Sequence, residues 1–423
     1  MWKLSKRLLV TLAIIIAIVL LTAFLVNSLI TNDNKLSYEA QAEKIYNDAI
    51  DEVQSLRGVI LPHLPLIVIT EDQAVKLWGG GSYTPDYVGI RRDENIYKGL
   101  FMMKENESLY QAQTDWVGAW IAVTWNNSIY VVTKYFNPYD TLNAESTLVH
   151  ELTHVMQGTL KVPEQVYSSF DADKARGAMI EGDAVYTQDF FTNNNKPPTV
   201  NVNHILAGLQ AIQPTNAMLS DAHASIPASI SELNYFPYTY GDAFISQLYT
   251  LGGWSEVNQV YKNPPNTTQQ ILHTDKYLQG INPSPPAAPT LNQEGWNQIS
   301  NNTYGEYFIR NMLNTWLTLN ESKTAVVDWN GDNLTYYEDQ NNNFLYTWNI
   351  NWASPSTATD FTSAFQNMVH AAGGTSDYQG IYSANGRYLT ITWNGNNSTL
   401  IACSSSKTSV EKSNFNQQQE TTL

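Results

Sequence analysis

The chain has a single cysteine, Cys403, among its 423 residues. A disulfide framework within the chain is therefore impossible, and so is a zinc site built on thiolates. A zinc site in this chain would have to use histidine and carboxylate ligands, and the sequence offers only seven histidines. The scarcity of both residue types confines any such site to a few places in the chain.

Charged residues are also scarce, at 15% of the chain, and their balance is acidic, with a formal net charge of −16. No basic cluster is dense enough to displace counterions from a phosphate backbone, so we exclude nucleic acid as a partner. A surface with few titrating groups changes little in charge as the pH falls, which leads to the hypothesis that the protein works in acidic surroundings. The 43% hydrophobic and 12% aromatic content indicates a folded chain with a substantial core.

The N-terminus has the pattern of a membrane anchor. Lys3, Lys6 and Arg7 precede an uncharged, mostly apolar run over 8–30. Such a run spans a bilayer core of about 30 Å at about 1.5 Å per residue. We predict a cytoplasmic tip at 1–7, one transmembrane helix at 8–30 and an outside domain, in the cell membrane. The alternative is a long signal peptide that is removed. Possible N-linked glycosylation sequons begin at Asn106, Asn126, Asn266, Asn301, Asn320, Asn333, Asn396 and Asn397.

Hydrophobic periodicity beyond the anchor predicts an α+β fold. We expect a main domain over 36–322, a small α+β subdomain over 323–403 with short aromatic strands, and a polar, disordered tail over 404–423. The predicted helices cover 39–56, 145–160, 171–191, 240–251, 304–319 and 359–371, and another helix begins after Thr70. The predicted strands are 66–69, a hairpin within 116–136 that turns at Asn126 and Asn127, and 334–338, 344–352, 378–382 and 388–393.

The clearest chemical motif is His150-Glu151-Leu152-Thr153-His154 within the helix predicted over 145–160. Four residues make just over one helical turn, so His150 and His154 project from the same face and can hold one zinc ion. Glu151 is offset by about 100 degrees, which puts its carboxylate beside the metal rather than on it. There it can act as a general base and acid. A chance match on a solvated helix is the competing explanation.

A catalytic zinc site needs a third protein ligand and an open position for water. The next predicted helix offers Glu181, which lies 27 residues beyond His154 and is followed by Gly182. A glycine at that place lets two helix backbones approach closely. Glu164 and Asp173 are competing ligands, but neither is followed by a small residue and an apolar face. Glu181 is therefore our predicted third ligand.

The motif at 150–154 together with Glu181-Gly182-Asp183-Ala184 resembles the gluzincin metallopeptidases, the thermolysin-like group with a His, His, Glu zinc site. The gap between His154 and Glu181 is longer than in thermolysin, and the residues after the glutamate differ. The remaining segments resemble uncharacterised prokaryotic membrane-associated proteins of that type. These segments are Pro237-Tyr238-x-x-Gly241-x-x-Phe244, Gly252-Gly253-Trp254, Pro264-Pro265, Ile271-Leu272-His273, Lys276-Tyr277, Trp329-x-Gly331-Asp332 and Trp352.

The resemblance implies a thermolysin-like zincin core and a membrane-anchored, extracytoplasmic zinc peptidase that acts on peptides or proteins. In such an enzyme Glu151 would serve as general base, and a Tyr or His would stabilise the oxyanion. Tyr238 is the first candidate for that donor, with Tyr240 and His273 behind it, although each has an alternative structural role. Asp183 either orients a zinc-bound histidine or supports its own helix.

Two other functions remain open at this stage. The domain could be a non-catalytic envelope or surface interaction module whose zinc site is structural or vestigial, since aromatic, Asn-rich strands suit protein or glycan contact. It could also hydrolyse a non-peptide amide. Glu151 discriminates against the first alternative, because a structural zinc site needs no acid at the second position of the motif.

Overall fold

The computed structural model describes residues 36–79, 86–164, 168–199, 226–288, 291, 294–393 and 397–420. The predicted anchor at 8–30 lies outside these residues. Within the described part of the chain, no helix is long and apolar enough to cross a membrane. The described residues form thirteen α-helices and ten strands in two sheets, which confirms the predicted α+β class.

A small sheet with helices around it makes up the first part of the fold. Its strand order is β1-β3-β2, with β1 parallel to β3 and β2 antiparallel to β3, so β2 is an edge strand. The predicted hairpin turn is confirmed, because Asn126 and Asn127 have φ values of 48° and 56°. The elements are α1 (Tyr38–Arg57), β1 (Leu66–Ile69), α2 (Glu71–Trp78), α3 (Tyr87–Gly99), α4 (Leu109–Gly118), β2 (Ala122–Trp125) and β3 (Ser128–Val132).

Several local predictions hold in this part and two helices are new. Strand β1 has the predicted bounds, and Thr70 caps α2 through a reciprocal capping box with Gln73. Helices α3 and α4 were not predicted. Helix α4 occupies Trp116, where the hairpin prediction began, so the observed strands start later, at Ala122.

Three long helices follow: α5 (Thr141–Thr159), α6 (Phe170–Thr192) and α7 (Ala228–Gln259). The first two were predicted closely, whereas α7 extends well beyond the predicted 240–251. Helices α6 and α7 touch backbone to backbone, because a Cβ added at Gly182 would lie 2.2 Å from the carbonyl carbon of Gly241. The predicted close approach at Gly182 is thus confirmed, with α7 as the partner helix.

The last part of the described chain is built on a seven-stranded antiparallel sheet in the order β4-β5-β6-β10-β9-β8-β7. Strands β4 and β10 were not predicted. The elements are α8 (Thr268–Leu272), α9 (Thr274–Leu278), β4 (Trp296–Asn302), α10 (Gly305–Asn314), α11 (Leu319–Val326), β5 (Trp329–Asp339), β6 (Phe344–Trp352), α12 (Pro355–Ala371), β7 (Thr375–Ser376), β8 (Tyr382–Ala384), β9 (Arg387–Trp393), β10 (Ser398–Ser404) and α13 (Lys407–Glu420).

Three predictions in this part are wrong. The strand expected over 378–382 is a turn for most of its length, where Gly380 has a φ of 76° and its N–H donates to the carbonyl of Asp377. The helix expected over 304–319 ends at Asn314, because Thr318 caps a separate helix, α11. The tail is not disordered where α13 packs on the sheet through Val410, which is fully buried.

One apolar cluster joins the long helices to the seven-stranded sheet. The ring centroid of Phe308 on α10 lies 5.4 Å from that of Phe170 on α6 and 5.9 Å from that of Trp348 on β6. The core therefore continues across the predicted boundary between 322 and 323. Helix α6 is fixed at its N-terminal end by this cluster and along its length by α5 and α7.

Candidate metal centre

Helix α5 positions the first two donor residues because its other faces are apolar. Leu148, Val149 and Leu152 are fully buried on α5, which fixes the rotation of the helix. His150 and His154 then project together toward α6, with their Nε2 atoms 3.2 Å apart. The two histidines thus share one face of the helix, as predicted.

Helix α6 brings Glu181 to the same point. Its Oε2 atom lies 3.4 Å from Nε2 of His150 and 3.4 Å from Nε2 of His154. Among the described residues, this trio is the one group of three or more His, Cys, Asp or Glu side chains whose donor atoms all lie within 4.8 Å of one another. Glu164 and Asp173, the competing ligands in the sequence, do not belong to it.

The electrostatics of the trio favour a cation between the three side chains. Burial alone would raise the pKa of Glu181, but the two neighbouring histidines hold that pKa well below its usual range. Burial would lower the pKa of His154, but Glu181 outweighs it and raises the pKa to about 9. Glu181 Oε2 is buried and has no hydrogen-bond donor within normal distance. Such an unsatisfied carboxylate oxygen is typical of a metal ligand.

Gln157 holds His154 in place from the side away from the trio. Its Oε1 lies 2.8 Å from Nδ1 of His154, while its Nε2 donates to the backbone carbonyl of Ile180 at 2.9 Å. This contact leaves Nε2 of His154 free to act as a ligand and ties the ring to α6. The sequence analysis missed Gln157. Its signal is the spacing, since a residue three positions after His154 lies on the same helical face.

Asp183 supports its helix and contacts neither histidine through a hydrogen bond. It forms a buried ion pair with Arg57 of α1 at 2.6 Å and accepts a hydrogen bond from Tyr261 at 2.6 Å. Arg57 also lies over the ring of Trp254, 4.2 Å from its centroid. The second of the two sequence interpretations of Asp183 is therefore the one that the structure supports. This network attaches α6 to α1 and to the end of α7.

The edge strand β2 reaches the motif through Glu151. The hydroxyl of Thr124 on β2 donates to Oε2 of Glu151 at 2.7 Å, and Glu151 is 5% exposed. The outer edge of β2 has no partner strand in the described part of the small sheet. An extended peptide can pair with such an edge. Thr124 was not among the predicted site residues.

Tyr238 is the one predicted oxyanion donor that the structure brings to the trio. Its ring stacks at 18° on His150, with centroids 6.3 Å apart. Burial, with the charges of Glu181 and Glu151, raises its pKa well above the usual value, so the hydroxyl stays protonated and able to donate. Tyr240 points elsewhere and accepts a hydrogen bond from Arg310. His273 pairs with the buried Glu306 at 2.8 Å, at the junction of α8 and α10.

A cleft of about 370 Å³ opens beside the trio, between α6 and α7. Glu181 and Tyr238 lie at one end of the cleft, and Trp116 and Phe170 supply aromatic walls. Lys174 also lines it, and the sequence analysis did not identify this residue. The arrangement combines three convergent donor atoms, the buried carboxylate of Glu151, a hydroxyl donor and a cleft large enough for several peptide groups.

The comparison with known proteins gives a match in the last part of the chain alone. The model of a domain of unknown function (DUF8575) matches residues 293–412. No curated protein and no solved structure matches the chain. The matched residues contain the seven-stranded sheet, whereas His150, His154 and Glu181 lie outside them.

Proposed function

We propose that the protein is a zinc-dependent peptidase with His150, His154 and Glu181 as its metal ligands. The observation that carries the proposal is the triangle of donor atoms, whose sides are 3.2, 3.4 and 3.4 Å. In a tetrahedral zinc site with ligand distances of about 2.0–2.2 Å, neighbouring ligand atoms are about 3.3–3.6 Å apart. The three atoms thus fit the base of a tetrahedron, and the fourth position is left for water or substrate.

Three other features around the triangle support peptide hydrolysis as the reaction. When bound, zinc supplies Lewis-acid activation of water and of the scissile carbonyl. Glu151 accepts the proton of the attacking water and passes it to the leaving amine, while Thr124 holds its carboxylate in place. Tyr238 donates a hydrogen bond from its hydroxyl to the oxyanion as it develops. The free edge of β2 aligns the substrate backbone.

The same proposal places the peptidase outside the cytoplasm. It rests on the charged tip at 1–7 and the apolar run at 8–30, which fit a single-pass anchor with the N-terminus in the cytoplasm. The substrate would then be an extracytoplasmic peptide or protein, and the sequons would be open to N-linked glycans where the host makes them.

The test measures metal content and peptide cleavage on the purified full-length protein. We expect about one zinc per chain, which His150→Ala abolishes. Glu151→Gln should retain the zinc but lower kcat/KM by about 10²- to 10⁴-fold, because a general base is lost while the ligands stay. Glu164→Gln, an exposed acid that lies outside the trio, is the matched control and should change neither quantity.

Two results would contradict the proposal. A protein purified at neutral pH without chelator that contains no stoichiometric metal would indicate a vestigial motif. Stoichiometric zinc combined with cleavage that is absent, or that is unaffected by Glu151→Gln, would indicate a structural site in a binding module.

A further inference from the structure

Lys174 occupies the cleft on the same face of α6 as Glu181. The two residues are seven positions apart, which is two helical turns and about 10 Å along the axis. Both side chains line the cleft between α6 and α7, together with Gly177 and Asn234. A substrate held at the metal centre would therefore run past the ammonium group of Lys174.

The charge of Lys174 is not compensated within the described part of the chain. Its Nζ donates one hydrogen bond, to the backbone carbonyl of Leu233 at 2.7 Å, and lies 5.6 Å from the ring centroid of Phe170. The neighbouring Asp173 also lines the cleft, and its carboxylate accepts a hydrogen bond from the hydroxyl of Ser168. Burial lowers the pKa of Lys174 to about 8, and no acid counteracts that shift. Two of the three ammonium donors are left for a ligand.

Lys174 is the one cationic side chain among the described residues that line the cleft. Glu181 lies two helical turns further along α6, at the metal centre. A substrate carboxylate is therefore favoured at the Lys174 end of the cleft, away from the carboxylate of Glu181.

We propose that Lys174 forms a carboxylate-binding subsite that selects substrates with a carboxylate within about three residues of the scissile bond, on one side of it. The distance follows from an extended chain, which covers about 10 Å in three residues. The carboxylate can be an acidic side chain or the free C-terminus of the substrate. This inference rests on the proposed peptidase function for the position of the scissile bond.

The test measures binding of four labelled hexapeptides of alanine and leucine by fluorescence anisotropy. The peptides carry Glu or Gln at the fifth residue and end in a free carboxylate or an amide. The protein is the full-length, zinc-loaded Glu151→Gln variant, which binds without cleaving. We expect peptides with a carboxylate to bind about tenfold more tightly than the Gln-amide peptide. The Glu-amide and Gln-acid peptides separate the side-chain source from the C-terminal source.

Substitutions in the same background assign the preference to Lys174. Lys174→Met should abolish it, because the ammonium is lost while the apolar stem is kept. Lys174→Arg should preserve most of it. Lys262→Met removes an exposed lysine elsewhere and is the matched control, which should behave as the parent.

Each outcome separates this proposal from the peptidase function. Equal binding of all four peptides, no binding of any, or a preference that survives Lys174→Met would overturn the subsite and leave metal content and cleavage to decide the peptidase function. A Lys174-dependent preference in a protein that lacks Glu151-dependent cleavage would support the subsite and refute the peptidase.

Discussion

The N-terminal end and the middle of helix α6 carry carboxylates with opposite electrostatics. Near its N-terminus, burial raises the pKa of Asp171 to about 8, although Thr268 donates to it from its backbone and its hydroxyl. Ten residues later, the pKa of Glu181 is held well below its usual range by two histidines, and Asp183 is paired with Arg57. At the N-terminal end the acid is kept neutral, and in the middle of the helix Glu181 is kept ionised.

The difference shows that burial alone does not decide the charge of an acid in this protein. Asp171 and Asp183 are fully buried, whereas Glu181 is partly buried with its Oε2 atom shielded from water. What separates these acids is the nearest partner. The donors to Asp171 are a neutral hydroxyl and a backbone amide, which do not offset the effect of desolvation on its pKa. The nearby acids Asp332 and Glu306 raise that pKa further. Cationic or protonatable partners overcome desolvation at Glu181. The N-terminal end of the helix thus carries a neutral acid with a structural role, whereas its middle carries an ionised acid that suits cation binding.

The largest expected effect comes from breaking the buried ion pair between Asp183 and Arg57. Asp183→Asn should destabilise the protein by about 3–5 kcal/mol in chemical unfolding, because the charge of Arg57 is left buried without its partner. The double variant Arg57→Met, Asp183→Leu should recover much of that loss. Asp48→Asn, which breaks an exposed pair with Lys44, should cost far less, because water screens that pair. Equal losses at Asp183 and Asp48 would contradict the comparison.

A smaller effect is expected from loosening the metal centre without touching a ligand. Gln157→Leu should weaken zinc binding by about 10- to 100-fold in competition with a chelator, because His154 loses the partner of its Nδ1 atom. The control is Gln188→Leu, since Gln188 also links α6 to α5, through Ser146, but contacts neither histidine. Unchanged zinc affinity in Gln157→Leu would show that packing alone orients the ring.

The smallest effect concerns Asp171 and appears in the pH dependence of the unfolding free energy. Between the unfolded value of about 4 and the folded value of about 8, native Asp171 keeps a proton that the unfolded chain has lost. Its contribution to stability is therefore present in acid and lost as the pH rises, by up to about 1.4 kcal/mol per pH unit. Asp171→Asn should flatten the pH dependence of the unfolding free energy by about 1 kcal/mol between pH 6 and 7.

Asp173→Asn provides the control for that measurement, because it removes an exposed carboxylate two residues away on the same helix. An unchanged slope in Asp171→Asn would mean that Asp171 is ionised in the native protein. The wild-type slope also bears on the hypothesis of acidic surroundings, since a protein that is no more stable at pH 3 than at pH 7 would not support it.

Local patterns were sufficient wherever short-range physics decides the structure. The bounds of β1, the capping box at Thr70 and the turn at Asn126 and Asn127 follow from hydrophobic pattern and turn chemistry. Strand β10 shows the limit of such patterns. It was missed although it lies in the middle of the large sheet, between β6 and β9, because a strand buried on both faces lacks the alternation that marks a half-exposed strand.

By itself the sequence determined which residues could form the metal centre. The spacing of His150 and His154 fixes a shared helical face, and Gly182 beside Glu181 indicates a close helix contact. Only the tertiary structure decided which distant groups join them. It brought Thr124 to Glu151, brought Tyr238 and Lys174 to the cleft beside Glu181, and turned Tyr240 and His273 away from that cleft. The reason is that a helix fixes the relation of residues three or four apart, whereas contacts between elements depend on how their apolar faces pack together.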